Sequence, residues 1–134
     1  MDGFDAADYA ESLSCCEKRP CGFAIEVNDE IHAIGFNHGD NEECNCTKDA
    51  ENPNVLHAEI HALQHAKFLV SENAIGFSTY ICCFNCCKEL LKRGIVRLYY
   101  RDHRNEESKQ KGINYLKQNG VEVRHYWKGK ERAL

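Results

Sequence analysis

The stretch IGFSTYICCFNCCKELLKRGIVRLYY, residues 75–100, decides the fold class of this chain. Its first part, up to Cys82, reads as a buried strand, and Cys83–Arg93 reads as a helix. Gly94 stands where a left-handed glycine commonly ends a helix, and the β-branched and aromatic residues of Ile95–Tyr100 predict another strand. A strand, a helix and a strand in this order favour parallel neighbours joined by a crossover.

The segments on either side extend this pattern into a larger sheet. Each has the spacing or composition of a helix or a strand: helices over 4–14, 57–70 and 106–118, a hairpin over 21–37 and a strand over 121–126. The predicted order is α-β-β-α-β-α-β-α-β. We therefore expect a three-layer α/β/α sandwich, in which helices cover both faces of a five-stranded mixed sheet.

The composition favours one globular domain over residues 1–134. Hydrophobic residues make up 43% of the chain, and no apolar stretch approaches the roughly 20 residues of a membrane span. The acidic start MDGFDAADYAES lacks the basic and apolar regions of a signal peptide, which predicts a cytoplasmic protein, or one in the host cytoplasm if its source is a virus. In such a reducing compartment, nine cysteines indicate metal binding or redox work rather than disulfides.

The charge of the chain argues against a nucleic-acid-binding protein. The formal net charge is −4, whereas proteins that hold polynucleotides through their phosphates usually present a basic face. The basic clusters KGKER (128–132) and RDHR (101–104) fit solvated surface charge, or the binding of one small phosphate. A small-molecule partner is therefore favoured over a polynucleotide, and no membrane partner is indicated.

Two motifs at predicted helix starts carry the residue types of a metal site. A catalytic zinc takes three nitrogen or sulfur ligands and leaves its fourth position to water, and His57, Cys83 and Cys86 supply such a set. Because the two cysteines stand three apart in a first helical turn, both sulfurs can reach one ion. Glu59 lies two residues from His57 and points elsewhere, which suits a carboxylate that moves protons to and from metal-bound water.

Each motif taken alone has a simpler interpretation. HAE at residues 57–59 is a common triplet, and a helical histidine is more often a core or surface residue than a ligand. A lone CxxC also fits a thioredoxin-like redox pair or half of a structural zinc site. The joint occurrence of both motifs, in this order and at helix starts, favours a catalytic zinc site.

The pattern H-x-E followed by P-C-x-x-C is the signature of zinc-dependent nucleobase deaminases, and this chain has Cys82 in the proline position. From SLSCCEKRPCGFAI through GFN, HAEIHAL and CCFNCC to GIVRLYY and GVEV, the chain resembles the cytidine deaminase superfamily, and within it the deoxycytidylate (dCMP) deaminases. The resemblance implies a cytidine deaminase-like fold, a homo-oligomer and the hydrolytic deamination of a cytosine deoxynucleotide, most simply dCMP to dUMP and ammonia.

The resemblance also implies roles for individual residues. It makes Glu59 the proton shuttle beside the zinc bound by His57 and the two cysteines. Asn37, in GFN where the family usually has GYN, would bond the sugar, although a turn residue after the hairpin is its ordinary alternative. The backbone N–H of Ala58 would meet the pyrimidine carbonyl, and the carbonyl of Ile81 would accept the leaving amino group.

Family members often carry a second, structural zinc. Cys16 and Cys46 match positions that contribute to it, but the histidines usual before HAE are absent here. Cys44 and His38 lie in the same loop as candidate additional ligands, and thiols without a metal are an equal alternative.

Other departures from the family pattern lie near the cysteine motif and after the fourth strand. Cys82 and Cys87 flank the expected ligands, and we interpret both as packing residues. Arg101 or Arg104 is a candidate phosphate contact, with solvated surface as the alternative.

Two alternative functions remain open from the sequence. A deaminase of another base or carrier, such as adenosine in transfer RNA, guanine or a 5-substituted dCMP, would use the same zinc and carboxylate. A zinc-stabilised module without turnover belongs to a different class, and Glu59 argues against it because a purely structural metal site has no use for a free carboxylate.

Overall fold

The computed structural model describes residues 2–14, 20–38, 56–80, 82–102, 107–127 and 130–133. Four α-helices and six strands span most of this part of the chain: α1 (Gly3–Leu13), β1 (Gly22–Val27), β2 (Glu30–Phe36), α2 (Ala58–His65), β3 (Ala74–Tyr80), α3 (Phe84–Arg93), β4 (Ile95–Asp102), α4 (Glu107–Gln118), β5 (Glu122–Trp127) and β6 (Lys130–Ala133). A 3₁₀ turn covers Val70–Glu72. None of the described helices is long and apolar enough to cross a membrane.

The strands form one mixed sheet in the order β2-β1-β3-β4-β5-β6. β1 pairs antiparallel with both β2 and β3, whereas β3, β4 and β5 are mutually parallel neighbours. The prediction of a mixed five-stranded sheet is confirmed, and the structure adds β6, which pairs antiparallel with the edge strand β5. The tail that forms β6 is short and lysine-rich without alternating apolar residues, as edge strands often are, so its sequence carries no strand signal.

Helices cover both faces of the sheet, as the sequence predicts. Phe23 and Ile25 of β1 lie in the main core, together with buried residues of α2, α3 and α4. Ala24, on the opposite face of the same strand, packs against Ala6 and Ala7 of α1 in a separate cluster. Ion pairs also connect α1 to the sheet, since Arg101 of β4 pairs with Asp8 and Glu11 of α1.

The second helix is shorter than the sequence predicts. The apolar pattern favours a helix to residue 70, but α2 ends at His65 and Ala66 is extended, with φ −92° and ψ 139°. The apolar spacing of the sequence continues past His65 because Phe68, in the extended segment, still packs against the main core. Periodicity alone does not distinguish such a buried extended segment from a further helical turn.

Candidate metal centre

The two motifs lie at the starts of two helices on the same face of the sheet. His57 is the residue before α2 and Cys83 is the residue before α3, and both have extended backbones with φ −72°. Cys86 follows in the first turn of α3, three residues after Cys83. Because an extended residue at a helix start projects its side chain beside the helix end, both motifs can face one point.

Three ligand atoms meet there. The Nδ1 atom of His57 lies 3.6 Å from the Sγ of Cys83 and 3.3 Å from the Sγ of Cys86. In a tetrahedral zinc site with bonds of about 2.1 Å to nitrogen and about 2.3 Å to sulfur, a nitrogen and a sulfur ligand are about 3.6 Å apart. Within the described part of the chain, this is the one group of three or more such side chains with its ligand atoms within 4.8 Å of one another. The donor set and its spacing therefore fit zinc.

The thiols of this group share their protons unequally. The pKa of Cys83 is lowered to about 3, chiefly because its sulfur accepts a hydrogen bond from Cys86, with a further contribution from His57. The pKa of Cys86 is raised for the complementary reason, and burial and the negative charge of Glu59 raise it further. One thiolate is thus ready to bind a cation, and full ligation would displace the proton of the other.

Glu59 lies in the first turn of α2 beside these ligands and is 6% exposed. Its carboxylate interacts with the thiol of Cys86, which is one cause of the raised pKa of that thiol. It is not a member of the three-residue ligand group. A buried carboxylate next to a metal site but outside the ligand set can exchange protons with what the metal holds.

A cleft of about 290 Å³ opens at this point between α2 and α3. Residues of both helix starts line it: His57, Ile60, Cys83, Asn85, Cys86, Lys88 and Glu89. The ligand group is therefore reached from solvent, and His57 itself is exposed. A catalytic metal needs this access, because its fourth position must exchange water and substrate.

Gly35 brings β2 directly against α2. A Cβ atom at this position would lie 2.3 Å from the carbonyl oxygen of Ala58 and 2.3 Å from the backbone nitrogen of Ala62. Only a residue without a side chain allows this approach. The end of β2, which leads into Asn37, is consequently held next to the start of α2.

The side chain of Asn37 is fixed by the protein. Its Oδ1 atom accepts a hydrogen bond of 2.8 Å from the backbone N–H of Cys21, and the hydroxyl of Ser14 lies 2.6 Å from the same atom. The Ser14 hydroxyl is also 2.8 Å from the backbone oxygen of Asn37. Ser14 follows α1, so the sequence around Asn37 gave no indication of its role.

The cysteines flanking the ligands are buried, as predicted. Cys82 and Cys87 are each 1% exposed, and the Sγ of Cys87 lies 3.8 Å from the carbonyl oxygen of Cys82. The same sulfur lies 2.8 Å from where a Cβ atom of Gly112 would stand, so it fills the space between α3 and α4. Both residues pack the base of the site.

Several predicted residues lie outside the described part of the chain: Cys16, Cys44, Cys46, Ile81 and Arg104.

Two further candidate residues are described and have other contacts. His38 forms a backbone bridge with Leu56, and its ring packs against His61 at 4.5 Å between centroids. Arg101 is engaged by the carboxylates of α1, so its contacts do not support a phosphate role.

Comparison with known proteins places this geometry in a family. The model of the cytidine and deoxycytidylate deaminase zinc-binding region matches residues 4–102. No curated protein sequence matches the chain significantly.

Solved structures share the fold over most of the chain. The dCMP deaminase from the cyanophage S-TIM5 in complex with dCMP and dUMP is 28% identical, with a TM-score of 0.75 over 90% of this chain and 91% of that one. Its apo form is 29% identical, with a TM-score of 0.72 and the same coverage. RibD from Acinetobacter baumannii is 23% identical, with a TM-score of 0.66 over 91% of this chain and 33% of its own, a likeness that shows the fold alone.

The family match covers both metal-site motifs and the strands β1 to β4. The zinc-compatible group formed by His57, Cys83 and Cys86 agrees with the zinc-binding region that the family model describes. This chain belongs to the cytidine and deoxycytidylate deaminase family, and it is a hydrolytic deaminase.

Proposed function

We propose that this protein hydrolyses dCMP to dUMP and ammonia at a zinc site formed by His57, Cys83 and Cys86. The observation that carries the proposal is the meeting of these three ligand atoms beside the buried carboxylate of Glu59. The choice of dCMP is supported by the 28% identical cyanophage enzyme, whose structure holds dCMP and dUMP. A nucleotide of this size also agrees with the net negative charge of the chain, which disfavours a polynucleotide.

His57, Cys83 and Cys86 would hold the zinc ion from the two helix starts. When bound, zinc would supply a water molecule of lowered pKa and hold it in the one ligand position that the protein leaves open. The hydrogen bond from Cys86 lowers the pKa of the Cys83 thiol, which favours the thiolate form that a zinc ion would bind.

Glu59 moves the protons of the reaction. It accepts a proton from the attacking water and passes it to N3 of the cytosine ring while the water oxygen bonds to C4. It then moves the remaining proton of that oxygen to the amino group, the C4–N bond breaks and ammonia leaves, so that uracil remains. Its burial beside Cys86 keeps the carboxylate away from bulk water during these transfers.

Three backbone and side-chain groups would orient the nucleotide. The N–H of Ala58 stands at the start of α2, where N–H groups have no partner within the helix, and would meet the pyrimidine carbonyl. The carbonyl of Ile81 would receive the amino group. Asn37, whose oxygen is held by the N–H of Cys21, would bond the sugar.

An activity panel tests the proposal. Zinc-loaded protein is incubated with cytosine, 5-methylcytosine, adenine and guanine nucleosides and nucleotides, and released ammonia is measured. We expect the fastest turnover with dCMP and slower turnover with deoxycytidine. A preference for an adenine or guanine compound would mean that dCMP is not the substrate. If no compound released ammonia, the protein would be better explained as a zinc-stabilised module without turnover.

Metal analysis separates one zinc from two. The second site, with Cys16, Cys44 and Cys46, stays a prediction because these residues lie outside the described part of the chain. Two zinc ions per chain, of which one is lost when Cys46 is replaced by serine with the activity retained, would support it. One zinc per wild-type chain would rule it out.

Replacing Ser14 by alanine should weaken substrate binding and leave the metal in place. The hydroxyl fixes the Asn37 side chain at 2.6 Å, and its loss removes about 1 kcal/mol of hydrogen-bond energy from that arrangement. We therefore expect KM for dCMP to rise about fivefold, with kcat and zinc content unchanged. Steady-state kinetics measures this.

Ser12→Ala is the matched control, since the Ser12 hydroxyl donates to the carbonyl of Tyr9 in its own helix. An unchanged KM in Ser14→Ala would show that Asn37 does not contact the substrate or does not need Ser14.

A further inference from the structure

Arg93, the last residue of α3, bonds the end of α2. Its NH1 and NH2 groups donate hydrogen bonds of 3.0 Å to the carbonyl oxygen of Leu63 and 3.1 Å to that of Ala66. The guanidinium also lies over the ring of Phe68, 5.3 Å from its centroid. These contacts join the ends of α2 and α3, since Arg93 lies 30 residues after Leu63 and 27 residues after Ala66 in the sequence.

The end of α2 needs such a partner. The helix has eight residues, and the chain becomes extended at Ala66. The last carbonyls of a helix have no partner within it, and they carry the negative end of its dipole. The carbonyl of Leu63 accepts a bond of 3.3 Å from the N–H of Ala66, the residue that follows the helix. The planar guanidinium of Arg93 adds a charged donor to this carbonyl and reaches that of Ala66 at the same time, which a lysine ammonium cannot do in the same geometry.

The opposite ends of both helices carry the metal centre. His57 and Glu59 stand at the start of α2, and Cys83 and Cys86 stand at the start of α3. At 1.5 Å per residue, α2 and α3 are only about 12 Å and about 15 Å long. Helices this short are rigid, so a rotation at one end is transmitted to the other. A change of angle at their far ends therefore moves the ligand atoms, and metal ligation tolerates only about 0.2 Å of such movement.

The contact after α3 supports the same junction. Gly94 ends the helix with φ 95°, and a Cβ atom there would lie 3.0 Å from the Cα of Val70. The chain that leaves α3 thus packs on the 3₁₀ turn that follows α2. The two helix ends are held together by backbone packing and by the Arg93 fork.

We propose that Arg93 is a positioning residue for the metal centre: by tying the ends of α2 and α3 it sets the spacing of His57 from the two cysteines and the direction of Glu59. This inference rests on the proposed metal centre and its reaction. Arg93 bonds the far end of α2, away from the ligand atoms, and it acts through the angle between the helices.

The test compares Arg93→Ala and Arg93→Lys with Lys92→Ala. Lys92 is the neighbouring residue; its side chain is 75% exposed and pairs with Glu89 on the same helix at 3.8 Å. Three properties are measured well below the melting temperature: the visible spectrum of the cobalt(II)-substituted protein, the rate of zinc loss to a chelator, and kcat and KM for dCMP per bound zinc. The cobalt spectrum reports ligand geometry without requiring activity.

We expect Arg93→Ala to shift the cobalt bands, to lose zinc about tenfold faster and to lower kcat about tenfold with KM within about twofold. Arg93→Lys should recover only part of each change, because it keeps the charge and loses the fork. Lys92→Ala should match the wild type.

A wild-type cobalt spectrum, zinc-loss rate and kcat in Arg93→Ala would overturn the proposal. Arg93 would then contribute to the stability of the fold and not to the geometry of the metal centre. If Arg93→Ala does not fold, Arg93→Lys decides by the same three measurements. If the wild type deaminates nothing, the proposed function fails, while the cobalt spectrum and the zinc-loss rate still decide the role of Arg93.

Discussion

Glu59→Gln is expected to keep one zinc at the catalytic site and to lose nearly all turnover. Glutamine has the size of glutamate but cannot accept the proton of the attacking water, so the general acid–base contribution of about 10²–10⁴-fold disappears from kcat. Zinc is retained because Glu59 lies outside the ligand group formed by His57, Cys83 and Cys86.

Zinc content by metal analysis and ammonia release from dCMP measure the two effects separately. Glu89→Gln is the matched control: this carboxylate also lines the cleft, but its side chain is 47% exposed and pairs with Lys92. We expect Glu89→Gln to have close to wild-type kcat. Activity of Glu59→Gln within tenfold of wild type would remove Glu59 from the proton-transfer role.

Cys83→Ala and Cys86→Ala are expected to lose zinc and activity together. Each change leaves two of the three protein ligands, and even changes around a ligand typically cost 10–100-fold in affinity, so the loss of a ligand should exceed about 100-fold. Zinc titration against a chromophoric chelator measures this loss. Circular dichroism is recorded in parallel, because bound metal also stabilises the fold.

The neighbouring cysteines supply the controls. Cys87→Ala and Cys82→Pro change buried positions next to the ligands, and Cys87→Ala leaves a small gap beside Gly112 that should cost about 1 kcal/mol of stability. Both variants should retain stoichiometric zinc. Release of zinc from Cys82→Pro would show that the ligands have been assigned in the wrong register.

Local signals were enough to predict most of the fold and the meeting of His57, Cys83 and Cys86 at one point. The ligands stand at helix starts that follow extended chain, and helix starts are marked by nearby residues, so the three-residue spacing of Cys83 and Cys86 already placed both sulfurs on one side. The parallel pairing of β3 and β4 followed from one helix between two apolar strands.

Tertiary contacts account for what the sequence did not predict. α2 ends at His65, where the carbonyls that a longer helix would bond internally are met by Arg93 from another helix. The strand β6 exists because β5 offers an unpaired edge, which no feature of the tail itself indicates. The hold of Ser14 on Asn37 joins residues 23 positions apart, and no periodic pattern connects them.

The close contact of Gly35 with α2 also limits how the enzyme can diversify. Because any side chain there would collide with the backbone of Ala58 and Ala62, no larger residue fits at position 35 unless α2 moves away from β2. Such a movement would carry His57 and Glu59 with the start of α2, so variation at position 35 would disturb the chemistry before it could alter substrate preference. New preferences, whether they arise by natural variation or by directed evolution, are therefore expected at residues that line the cleft itself, such as Asn85 and Lys88.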